Sequence, residues 1–138
     1  MNPAHALQDA TVQEIQLELL RRTQHNLLDG EKVVATLLKH RDLWLAALLD
    51  RQGFSDNRQP SHMPAMSLIK LRDLPHNDWN ADTLFLLTDS NEKAARLGAV
   101  IEQADWCGEV CVHDDREEID RALGVGGIDY GLVSVWWD

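Results

Sequence analysis

The alternation of apolar and polar positions divides the chain into a helical first part and a sheet-forming second part. Thr11-Val12-Gln13-Glu14 is a capping-box pattern, in which the Thr and Glu side chains satisfy backbone N–H groups that the start of a helix leaves free. Val12, Ile15, Leu19 and Leu20 follow at helical spacing. Beyond Asp29-Gly30 a stronger stripe of Val33, Val34, Leu37, Leu38, Trp44, Leu45, Leu48 and Leu49 predicts a second helix, with Arg41 interrupting one row and Gly53 as its stop. Residues 1–53 therefore read as a helical hairpin joined between Asn26 and Gly30.

Residues 54–65 hold Ser55, Asp56, Asn57, Pro60, Ser61 and Pro64, which is turn chemistry and predicts a loop. The period then changes. Ser67 to Leu71 is a candidate strand, and Thr83 to Thr88 is a nearly continuous apolar run that fits a strand buried on both faces. A helix capped by Asp89 or Ser90 follows, with Ala94, Leu97, Val100, Ile101 and Ala104 on its inner side. Glu109 to His113 predicts a strand, Asp115 to Leu123 a short acidic helix stopped by Gly124-Val125-Gly126-Gly127, and Tyr130 to Trp136 a last strand.

Strand-helix-strand units in one sheet are crossovers of fixed hand between parallel strands. The expected fold is accordingly α/β: a helical hairpin followed by a small, mostly parallel sheet of three to four strands with β-α-β crossovers, in one domain spanning residues 1–138. The helical segment either covers a face of the sheet or stands off as an arm; periodicity is compatible with both.

Composition narrows the class. At 44% hydrophobic and 26% charged residues the chain is of ordinary globular type. Its longest apolar run, Leu43 to Leu49, is far short of the about 20 residues a membrane-spanning helix needs. Met1-Asn2-Pro3-Ala4-His5 lacks the basic start and apolar core of a secretory signal. Cys107 and Cys111 lie too far apart along an extended strand to bridge, so reduced thiols are expected. These features predict a soluble, cytoplasmic protein without membrane attachment.

Charge changes the picture further. Of the net −10, residues 1–72 contribute 9 Lys and Arg against 8 Asp and Glu, and residues 73–138 contribute 4 against 15. The acidity of the second half argues against nucleic acid, whose affinity rests on cationic side chains, and is compatible with a basic protein partner, a metal ion or simple solubility.

Three constellations offer chemistry. In a parallel sheet, ligands bind beyond the carboxyl ends of the strands, which here carry Thr88-Asp89-Ser90 and His113-Asp114-Asp115. Asp89, Asp114 and Asp115 are then candidate ligands for Mg²⁺, with His113 and Asp89 as candidate catalytic residues. The same acids equally suit helix caps. Cys107, Glu109, Cys111 and His113 alternate along one strand and share a face, a set with zinc-binding chemistry but only one cluster where a structural site draws on two. The glycines at 124, 126 and 127 follow a helix and precede a strand, the reverse of a phosphate-binding loop. No cofactor is otherwise predicted.

Trp136 and Trp137 are adjacent on the last strand and must face opposite ways, so one fills the core and the other is a candidate partner-binding anchor. The preferred expectation is a non-catalytic acidic module that binds a protein. The alternatives are a small metal-dependent enzyme with carboxylates at the strand ends and a homo-oligomeric assembly domain, in which the 33–49 helix packs against another copy.

Overall fold

A computed structural model describes residues 7–50, 74–76, 79, 81–124, 126 and 129–137. Helix α1 spans Val12–Arg21, a short hairpin pairs β1 (Gln24–His25) with β2 (Leu28–Asp29), and helix α2 runs over Gly30–Lys39. Strand β3 (Ala46–Asp50), β4 (Thr83–Thr88), α3 (Asn91–Ala104), β5 (Glu109–His113), α4 (Arg116–Leu123) and β6 (Gly131–Trp136) complete the order. Single-turn 3₁₀ helices lie at Arg41–Leu43 and Leu74–His76.

The helix starts form as their side chains dictate. Thr11 and Glu14 close the capping box of α1, Asp29 accepts from the Lys32 N–H to open α2, and Ser90 and Asp115 cap α3 and α4. Gly30 is required at the α1–α2 joint, because a Cβ there would run into the backbone carbonyls of Leu20 and Thr23.

The second helix is shorter than its stripe predicts. It ends at Lys39, and the Trp44 indole N–H donates to the Leu37 carbonyl across 2.8 Å, tying the turn back onto the helix end. The Arg41 guanidinium lies 3.8 Å from the centroid of the Trp44 ring and bonds the Trp44 carbonyl. The interruption that Arg41 makes in the stripe is thus the end of the helix. Leu45 to Leu49 satisfy both a helical and an alternating pattern, and tertiary pairing selects the strand, with Ala47 and Leu49 inward and Leu48 outward.

The sheet departs from the expected parallel arrangement. Its order is β3-β4-β6-β5, and every neighbouring pair is antiparallel. β4 and β5 do run in the same direction across α3, but the last strand, β6, occupies the slot between them and opposes both. The return through α4 joins antiparallel neighbours. The predicted strand at Ser67 to Leu71 and the whole of the predicted loop at 54–65 lie outside the described residues, as does Gly53, and the fourth strand is β3, from the stretch read as helix.

Register sets the two faces. Leu49↔Leu84↔Val135↔Val110 and Ala47↔Leu86↔Val133↔Val112 form rows on one face. Leu97, Ile101 and Ala94 of α3, with Leu20, Val33, Leu37 and Trp44 of the helical segment, join them in one core. The helical segment is therefore part of the packed domain. Its contact with the sheet is partly polar: the Gln13 side chain donates to the Ala47 carbonyl (2.9 Å) and accepts from the Ala47 N–H (2.8 Å), and Gln16 accepts from the Leu49 N–H (3.2 Å). Two glutamines of α1 thereby stand in for a neighbouring strand along the open side of β3.

Replacing Gln13 by Glu keeps the acceptor and loses the donor, setting a carboxylate against the Ala47 carbonyl. Urea unfolding is expected to show a loss of about 1–3 kcal/mol, while the same change at the exposed Gln8 leaves the midpoint close to wild type. Equal effects at the two positions would contradict the edge-capping role.

Candidate functional site

On the face of the sheet turned away from α3, alternation places Thr83, Phe85 and Leu87 of β4, Leu132, Ser134 and Trp136 of β6, and Glu109, Cys111 and His113 of β5. A groove of about 360 Å³ lies on this face. Phe85 and Trp136 supply aromatic walls, His113 and Ser134 the polar floor, and Glu109 and Glu118 the carboxylates along it.

The polar floor is a connected set. The His113 Nε2 and the Ser134 Oγ are 2.7 Å apart, a hydrogen bond between directly paired strands. The His113 Nδ1 lies 3.6 Å from the Glu118 carboxylate and 3.8 Å from the Cys111 thiol. Helix α4 delivers Glu118: the Asp115 carboxylate accepts from the Glu117 and Glu118 N–H groups, and the fully buried Ile119 anchors the helix. Arg116 fixes the following turn by donating to the Tyr130 carbonyl across 3.1 Å. The imidazole is thus hydrogen-bonded through Nε2, with the Glu118 carboxylate and the Cys111 thiol near Nδ1.

The residues singled out from the sequence fall in three places. His113 lines the groove, as do Glu109 and Cys111, its partners in the strand alternation. Cys107 departs from that row: its backbone is left-handed (φ 61°) and its thiol points back towards Asp105. Asp89 lies at the end of β4 and pairs with Lys93 across 3.1 Å, while Asp115 is the α4 cap and Asp114 is exposed between β5 and that cap. None of these three acids lines the groove, and among the described residues no three His, Cys, Asp or Glu side chains gather to hold a metal ion.

The two tryptophans part as adjacent strand-end residues must. Trp137 is fully buried, stacks on Trp106 with ring centroids 6.3 Å apart, and donates its indole N–H to the Trp106 carbonyl across 2.7 Å. Trp136 is half-buried and walls the groove. Of the pair, only Trp136 keeps accessible surface.

Sequence reasoning missed Phe85, Glu118 and Ser134. Alternation within β4 and β6 places Phe85 and Ser134 on a definite face of each strand. Which strands lie beside β5 depends on the order in the sheet, and no local pattern carries that. Among the described residues no helix is long and apolar enough to cross a membrane. The chain matches no family model, and no curated protein or solved structure is similar to it.

The two tryptophans separate experimentally. Trp137→Phe strips the buried Trp106 carbonyl of its donor and is expected to cost about 1–3 kcal/mol in urea unfolding, whereas Trp136→Phe stays within about 1 kcal/mol of wild type. The reverse order would contradict the assignment of faces.

Proposed function

We propose that the domain is a protein-interaction module whose outer sheet face docks a cationic segment of a partner. The observation that carries this reading is the lining of the groove: among the described residues, the acidic Glu109 and Glu118 and the aromatic Phe85 and Trp136 line the same groove. A lysine or arginine side chain suits both surfaces at once, its apolar stem and cationic head meeting ring faces and its charge meeting carboxylates. The surroundings add to the attraction. Residues 109–120 carry six Asp and Glu against the single Arg116, a local field that raises the encounter rate of a basic partner and repels an acidic one.

The Ser134–His113–Glu118 series has the connectivity of an acyl-transfer relay, and this favours a second reading. Such chemistry also needs N–H donors converging on the oxygen of the tetrahedral intermediate. Ser134 sits inside a strand paired on both sides, to Phe85 and to Cys111, so the backbone around it is engaged in the ladder. Held in this way, the His113–Ser134 pair supplies hydrogen-bonding groups to a bound segment more readily than it supplies a nucleophile.

NMR titration with a short apolar peptide bearing two arginines, and with its glutamate-bearing counterpart, tests docking directly. Amide shifts are expected to concentrate at Glu109, His113, Glu118, Ser134 and Trp136, to weaken with added salt, and to be absent with the glutamate peptide. Glu118→Gln or Trp136→Ala is expected to reduce affinity about tenfold. Equal binding of both peptides, or shifts away from the groove, would overturn the reading. Hydrolysis of p-nitrophenyl acetate separates the alternative: docking predicts no change on Ser134→Ala, and a fall of about 100-fold would instead establish acyl transfer.

A further inference from the structure

The two edges of the sheet are treated differently. Along β3 the Gln13 and Gln16 side chains bond the outward N–H and C=O groups. β5 is the opposite edge of the order β3-β4-β6-β5, and among the described residues nothing pairs with its outer side. Natural sheets blunt such an edge with a very short strand, with charged side chains (lysine above all), or with proline, a bulge or a covering element, and of the charged residues β5 has Glu109 at its first position. Glu109-Val110-Cys111-Val112-His113 contains no lysine or proline and pairs with β6 in unbroken one-to-one register. Its exposure fits an open edge: Glu109, Cys111 and Val112 are all exposed, with Val112, an apolar side chain on the core side, 39% accessible.

We infer that β5 is a self-association edge, on which β5 of a second copy of this chain pairs antiparallel about a two-fold axis through Cys111, joining the two sheets into one of eight strands. The register follows from the side chains. A two-fold axis sets the central residue opposite itself, and Cys111 is the uncharged centre that brings all five residues into pairing. Val110 then faces Val112 of the second copy on the core side, covering the exposed valine. On the groove side Glu109 faces the imidazole of the second copy's His113. Centring the axis on Val112 instead would oppose Glu109 to Asp115 and Val110 to Asp114, which cross-strand pairing disfavours. The occupant is a second copy rather than an unrelated strand because the sequence is complementary to itself in this register. The acidic surroundings of β5 repel across the axis, so association strengthens with salt, opposite to the groove binding proposed above; the two proposals fail independently.

Sedimentation of the full chain from micromolar to millimolar concentration reads the association. The mass is expected to rise from 15.6 kDa towards twice that value, at lower protein concentration when salt is added. The register is read by diamide, which takes two electrons and two protons from a pair of thiols as one S–S bond forms. Directly opposed strand residues have Cα atoms about 4.5–5.5 Å apart, within disulfide range. The Cys107→Ser protein is therefore expected to cross-link into covalent dimers and the Cys111→Ser protein to lose them. Cys111→Lys sets two cations against each other on the axis and is expected to remain monomeric where the wild type dimerises, while keeping the amide dispersion of a folded protein. A monomer mass throughout, cross-links that persist in Cys111→Ser, or a dimeric, folded Cys111→Lys protein would each overturn the inference.

Discussion

The pairing of β6 with β4 on one side and β5 on the other is the contact on which the rest of the domain depends. Val133 and Val135 carry the central rows of the core and are fully buried, and the chain continues from them into Trp137, which locks onto Trp106. The opposite side of the same strand supplies Ser134 and Trp136 to the groove. One strand near the end of the chain thus builds both the interior and the candidate surface, and the sheet cannot close until that strand arrives. Non-local pairing of this kind carries a loop-closure cost before contacts repay it.

The groove follows from that insertion. A polar serine in the middle of an otherwise apolar strand would be out of place in a core, but β6 turns it to the outer face, directly opposite Cys111 and two residue pairs along the ladder from His113 on the same face. The hydrogen bond between His113 and Ser134 then fixes the imidazole while Glu118 approaches from α4. Phe85, Trp136, the His113 ring and the Glu109 and Glu118 carboxylates line one groove, and the proposed docking of a cationic segment rests on that combination.

Local chemistry was legible in the sequence and long-range order was not. The strands at Thr83–Thr88 and Glu109–His113 and the cap at Thr11 have the bounds and role their residues announce, and of the acid and hydroxyl pairs at the next two helix starts the structure selects Ser90 over Asp89 and Asp115 over Asp114, because capping is decided within a few positions. The parallel sheet was an error of topology. Strand-helix-strand order is the usual mark of parallel neighbours, and only the rows of Leu84 with Val135 and Leu86 with Val133 reveal that β6 enters between β4 and β5. The segment from Trp44 to Leu49 failed for a different reason: its apolar positions fit two periods, and pairing with β4 chose between them. At the site, the shared face of Glu109, Cys111 and His113 was readable from alternation alone, while Ser134, Glu118 and Phe85 belong to elements that only the fold brings alongside.

The insertion of β6 is open to one direct measurement. A nuclear Overhauser spectrum of the folded protein should connect the backbone of Ser134 to both Phe85 and Cys111, its partners on either side. Cross-strand contacts on both sides are the predicted result. Direct backbone contacts between β4 and β5, with Ser134 reaching only one of them or neither, would contradict the central position of β6 and remove the floor of the groove with it.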